Sequence, residues 1–252
     1  YSSITTNKST VLNGVSNTTI EVGTLLDPIL TANFNQGVIT SANGSGTVEL
    51  VGLPNTYTFT GLGISPSVVL ISNNLSETIN TSNPNYTPTN AIFGNNNWIV
   101  SIAHDEGSGL YYDSKDNADT SLDSSRGANT LSDTSNTYTG RYYSFRDIGF
   151  IPTDSTGVRN ATSKSFLNAS NTGSFIISIT ANIPEVWFSV PTGKSITVLY
   201  VESSNADVTG TFTLNTFNVN DGSGTPVSYD VWSSTIGGGG YPTTATYSVT
   251  IS

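Results

Sequence analysis

The sequence predicts an all-β protein made of two β-sandwich modules in tandem. Three observations carry this expectation. Apolar and polar residues alternate at period two over many short runs. Turn-forming residues recur about every ten positions, as in sandwiches and barrels. No window repeats apolar residues at the three-and-four spacing of a long amphipathic helix. Charged residues make up only 10% and hydrophobic residues 35% of the 252 positions. The apolar residues are mostly β-branched or aromatic, which suits sheets that are solvated on one face.

From the N-terminus, residues 18–22 (TTIEV), 29–34 (ILTANF), 47–51 (TVELV) and 57–60 (YTFT) are short β-prone runs. Gly23, Asp27-Pro28, Gln36-Gly37, Asn43-Gly44 and Leu53-Pro54-Asn55 separate them and supply turn chemistry. Residues 68–72 and 98–103 (WIVSIA) continue the strand count, whereas residues 73–97, rich in Asn, Pro, Ser and Thr, read as a long surface excursion. The first module is expected over residues 1–150. The chain has no methionine, and Tyr1 is too bulky a neighbour for routine initiator removal. It is therefore expected to be a piece of a longer protein.

Half of the net charge of −10 lies in residues 104–133, where seven acids face two bases. Asp113, Asp116, Asn117 and Asp119 have the oxygen ligands that calcium prefers. Their spacing does not match an EF-hand loop, and a solvated Asp/Asn/Ser turn is the simpler reading. The acidic balance argues against nucleic acid, whose phosphates need a basic face, and against an anionic membrane. No apolar run approaches the roughly 20 residues that span a bilayer. Without cysteines the chain has neither disulfides nor thiolate metal ligands.

Residues 138–150 (YTGRYYSFRDIGF) are the most aromatic stretch. Arg141 and Arg146 among these rings suggest a stacked binding patch. The alternation of Tyr142, Ser144 and Arg146 with Tyr143, Phe145 and Asp147 instead describes a strand bridging two modules, with the junction near residues 151–155.

The second module, residues 156–252, carries the clearest single signal. Over residues 211–219 and 227–231, Phe212, Leu214, Phe217 and Val219 face Val227, Tyr229 and Val231 across Asp221-Gly222-Ser223-Gly224, a hairpin pattern. Residues 164–167, 174–180, 186–190, 195–201 and 244–251 complete about seven strands. Phe175, Ile177 and Ile179 share one face, as do Ile196, Val198 and Tyr200, and Tyr247, Val249 and Ile251. This strand count fits an immunoglobulin-like sandwich, with a jelly roll as the alternative. Because Leu199, Tyr200 and Val201 follow Val198, both faces of that strand are apolar, and it is expected to be central.

The run SKSFLN…GSFIISI…PEVWFSVPTGKSITVLYVESSNADVTGTF…VNDGSGTPVSYDVW…TATYSVTIS resembles β-modules of tailed-bacteriophage structural proteins, in tail fibres, neck or baseplate appendages and head fibres. The N-terminal block, with EVGTLLDPILTANFNQGVI and NTYTFTG, resembles the module that usually precedes them. The resemblance implies a non-enzymatic, extracellular virion component that assembles as a homo-oligomer, a trimer or hexamer, with other virion proteins. It transfers no catalytic residue.

His104 is the only histidine, and no nucleophile-elbow motif accompanies it. No phosphate loop, dinucleotide fingerprint or His/Cys metal set is present either, so neither enzyme activity nor a cofactor is expected. Trp232, on the face opposite Val231, and Tyr241, after the glycine run 237–240, are candidate binding residues at a mobile loop, where a host glycan or partner subunit would stack. Packing of Trp232 into its own module is the competing reading. Tyr111 and Tyr112 form a second candidate pair. A carbohydrate-binding or adhesive module of a bacterial surface protein is the other functional class open at this point.

Overall fold

A computed structural model describes residues 5–6, 8–36, 38–40, 49–50, 52–105 and 128–252. The chain is all-β and divides into two compact units. The first comprises Tyr1–Thr18, Leu26–Thr89 and Asn96–Tyr138; the second comprises Thr19–Leu25, Asn90–Asn95 and Thr139–Ser252. Among the described residues no helix is long and apolar enough to cross a membrane.

In the first unit a four-stranded sheet runs in the order Asn129–Thr134, Trp98–His104, Pro54–Gly61, Val68–Ile71. Period two decides its inner face: Trp98, Val100 and Ile102 on one strand and Tyr57 and Phe59 on its neighbour are fully buried. A three-stranded sheet, Ser76–Ile79, Leu30–Asn35, Ser9–Asn13, buries Leu30, Ala32 and Phe34 in the same alternation. Phe34 meets His104 at 5.4 Å between ring centroids, and Asp133 accepts the Leu12 amide at 2.7 Å. Residues 73–97 differ from the expected surface excursion. Strand Ser76–Ile79 lies there, and Ile79, Tyr86 and Ala91 are buried. The buried Tyr86 hydroxyl donates to the Pro28 carbonyl at 2.8 Å. Ile79 and Tyr86 anchor this polar segment in the first unit, while its own side chains satisfy its backbone, as Asn80 and Asn83 do for Ser82 and Asn85.

The second unit stacks two antiparallel sheets. One has five strands, ordered Ser163–Phe166, Tyr143–Ile148, Glu185–Pro191, Pro226–Thr235, Thr213–Asn220. The other has four, ordered Gly173–Ile179, Ala245–Ile251, Ile196–Tyr200, Ala206–Asp207. Val186 and Phe188 from the first pack with Ile177, Ile179, Val198, Tyr247 and Val249 from the second. The 213–235 hairpin pairs Phe217 with Tyr229 and Val219 with Val227. In its loop the Asp221 carboxylate accepts from the Ser223 amide at 2.8 Å and the Thr225 amide at 3.0 Å.

Ile196–Tyr200, expected to be central, is an interior strand of the four-stranded sheet, paired on both sides, but the strand buried on both faces is another. Glu185–Pro191 occupies the middle of the five-stranded sheet and is buried on both faces from Val186 to Pro191. Ile196–Tyr200 lies beside the two-residue strand Ala206–Asp207, and Val201, 39% exposed, has already left it. The outer face of Glu185–Pro191 is covered by a short helix, Ser155–Arg159, capped by Asp154, whose carboxylate accepts the Gly157 amide at 2.8 Å. Val158 on that helix is buried with Phe145, Trp187, Val219, Tyr229 and Val231. Strand Tyr143–Ile148, expected as a bridge between modules, pairs on both sides within the second unit.

The N-terminal segment of this unit is held by specific bonds. Arg159 pairs with both Glu21 oxygens, the second at 3.3 Å, while its guanidinium lies over Phe145. The Gly222 amide donates to the Val22 carbonyl at 3.0 Å. A Cβ on Gly222 would lie 2.9 Å from the Thr24 nitrogen, so the hairpin loop and this segment approach as closely as glycine allows.

Candidate functional site

Trp232 and Tyr241 both pack against the core shared by the two sheets of the second unit. Trp232 is half-buried, and its indole N–H is buried without an acceptor among the described residues. Tyr241 stacks on Tyr200, with centroids 4.9 Å apart and planes 15° apart. Tyr247 meets both rings edge-on, and its hydroxyl lies 3.1 Å from that of Tyr241. The glycine run before Tyr241 is pinned at both ends. Ile236 N–H donates to the Pro184 carbonyl at 2.7 Å, and Asn182 N–H donates to the Tyr241 carbonyl at 2.8 Å. Gly240, at φ +99°, passes so close to Ile183 that a Cβ would lie 2.6 Å from its carbonyl oxygen. Tyr241 is thus held in a stack. Tyr111, Tyr112 and the Asp113–Asp119 loop lie outside the described residues.

His104 is buried. Its Nδ1 lies 2.8 Å from the Asp105 carbonyl, so Nδ1–H donates there, and Nε2 accepts from Lys8 Nζ at 3.3 Å. Among the described residues no cluster of three metal-ligating side chains occurs.

A second feature is a cleft of about 320 Å³ at the side of the stacked sheets, lined by Arg146, Asp147, Thr162, Ser163, Ile176 and Ser178 among others. Arg146 shares its side of the strand with Ser144 and Ile148, and its guanidinium lies 4.7 Å over the Phe175 ring. One of its nitrogens donates to Ser165 Oγ at 3.0 Å. Among the described residues no carboxylate pairs with it, and partial burial lowers its pKa below the usual arginine value. The adjacent Asp147 is already engaged: it accepts from Ile148 N–H, Thr162 N–H and Thr162 Oγ. The sequence places Arg146 on one strand face with Tyr142 and Ser144 but does not show what that face meets. The useful signal was its place between Ser144 and Ile148, since an arginine at an inward-facing strand position is costly unless something uses its charge.

Buried phenols supply a pH test. Burial from water holds Tyr57, Tyr86, Tyr229 and Tyr247 above the usual value near 10, Tyr57 at about 12. Lesser causes add to burial, such as Asp27 beside Tyr86 and the Tyr241 hydroxyl beside Tyr247. Above about pH 10 the unfolded chain releases protons that the folded chain retains. The stabilisation is therefore complete below that pH and is lost as pH rises through the folded values. The melting temperature should be level to about pH 9 and fall from about pH 10, with phenolate absorbance lagging that of the urea-unfolded chain. Coincident titration curves would show that these hydroxyls reach water.

The chain matches no protein-family model, no curated protein and no solved structure.

Proposed function

We propose that this chain is a non-enzymatic structural module of an oligomeric virion appendage of a tailed phage, acting in assembly and in host attachment. The stacked sheets of the second unit support an immunoglobulin-like arrangement, with a jelly roll as the alternative. The observation that carries the assembly reading is the edge strand Val68–Ile71 of the first unit. It ends its sheet among the described residues, contains neither charge nor proline, and leaves Val69 53% and Ile71 89% exposed. Monomeric proteins usually protect such an edge with charge, proline or a covering segment, because its backbone groups recruit another strand. A homo-oligomer covers it.

Size-exclusion chromatography with light scattering should give a trimer or hexamer. Val69→Lys with Ile71→Lys should shift it toward monomer with little change in melting temperature, since both side chains face solvent. A monomeric wild-type chain would overturn the assembly reading. The second reading, a carbohydrate-binding module of a bacterial surface protein, draws on Phe166. That ring is 36% exposed and stacks on Tyr143 at 4.2 Å, a platform on which a sugar face packs. A monomer that binds a glycan array and loses binding on Phe166→Ala would favour it.

A further inference from the structure

The Arg146 cleft adjoins a sheet edge that no other strand among the described residues pairs with. Strand Gly173–Ile179 is the outermost of its sheet, and all seven of its residues are in register with Ala245–Ile251 on one side only. In an antiparallel pair alternate residues direct both N–H and C=O away from the partner. Three or four residues of this strand therefore turn their backbone groups outward. Ile176, Ile177 and Ser178 from this strand line the cleft, and Ile176 is 52% exposed. Across the cleft stand Thr162 and Ser163, with the Arg146 guanidinium lying on Phe175 of the same edge strand.

We propose that this edge, with Arg146 beside it, is the docking site for an extended peptide segment of a partner protein that carries a carboxylate side chain. The edge supplies main-chain hydrogen bonds to an added strand, the mode in which backbone pairing gives affinity and side-chain pockets give specificity. The specificity element is the guanidinium. Among the described residues one hydrogen bond and one ring contact engage it, so most of its five N–H donors remain for a carboxylate, which they meet in paired geometry. A guanidinium with no carboxylate partner among the described residues is conspicuous in a chain of net charge −10, and it selects against uncharged strands. A sugar suits the cleft less well. Its ring platform would be Phe175, and that face is covered by the guanidinium.

The test titrates the whole isotope-labelled chain with the capped peptide Thr-Val-Glu-Val-Thr and with its Glu-to-Gln counterpart, followed by amide NMR. The Glu peptide should shift amides of residues 173–179 and the Arg146 side chain, and bind about tenfold more tightly than the Gln peptide. Arg146→Gln should abolish that tenfold difference while both peptides retain weak edge binding, a double-mutant cycle that isolates the charge pair. The Glu/Gln comparison on the unaltered chain needs no variant to fold. Equal affinity of the two peptides, absence of binding, or shifts away from this edge would each overturn the proposal. So would displacement of the peptide by glucuronate at equal concentration, which would make the cleft a sugar site. Concentration-dependent shifts of residues 173–179 without peptide would assign the edge to a second copy and likewise overturn it.

Discussion

Val198→Asp should destabilise the second unit by about 4 kcal/mol or more, enough to abolish its cooperative transition or lower its melting temperature steeply. Val198 is fully buried in the apolar cluster between the two sheets, paired with Val249 on the neighbouring strand. Its backbone is fully engaged too: its N–H donates to Thr209 Oγ at 2.8 Å, and its carbonyl accepts from Val208 at 2.9 Å. A carboxylate placed there finds no cation in the cluster, so it must remain charged without a partner, take up a proton, or open the sheets. Urea denaturation followed by tryptophan fluorescence measures the loss. Val198→Ala separates the causes, since it leaves a cavity without a charge and should cost about 1–3 kcal/mol less. Two variants that melt like the parent would mean that this strand is not between the sheets.

In the first unit the largest loss is expected from Trp98→Ala, about 3–5 kcal/mol. Trp98 is fully buried, its indole N–H donates to the Leu62 carbonyl at 2.7 Å, and Tyr138 meets it edge-on at 6.3 Å. Its own backbone N–H donates to Ser135 Oγ at 3.0 Å. Truncation removes the ring that fills this end of the sheet and leaves the Leu62 carbonyl without its donor. Trp98→Phe keeps most of the volume and loses the hydrogen bond, so a cost of about 1–2 kcal/mol is expected. If the two variants lose the same stability, the hydrogen bond rather than packing holds this end of the unit.

Taken by itself, the sequence determined what period two can determine. Alternation placed Phe217, Val219, Tyr229 and Val231 on a hairpin, and that hairpin runs Thr213–Asn220 and Pro226–Thr235. It also put Ile177 and Ile179, Val198, and Tyr247 and Val249 on inward faces, where they share one cluster. This succeeds because strand geometry is local: the face of residue i settles the face of residue i+2.

Strand order needed the tertiary structure, because an apolar run says that both faces are covered without saying by what. VWFSV reads as a central strand once Val158 of the short helix lies over its outer face and the hairpin pairs along its side. Five helical residues are too few to announce themselves by periodicity. Only the fold shows that residues 19–25 and 90–95 belong with the C-terminal part of the chain. Arg159 reaches Glu21 and Phe93 stacks on Tyr142, pairings between residues far apart in sequence. The same holds for function-bearing groups. Tyr241 looked like the end of a mobile loop, but its ring stacks on Tyr200, 41 positions away. Alternation put Arg146 on one strand face with Ser144, but only the fold shows its surroundings, a ring and hydroxyls from two other strands. Charge and exposure are properties of the space around a side chain, and that space is filled by residues distant in sequence.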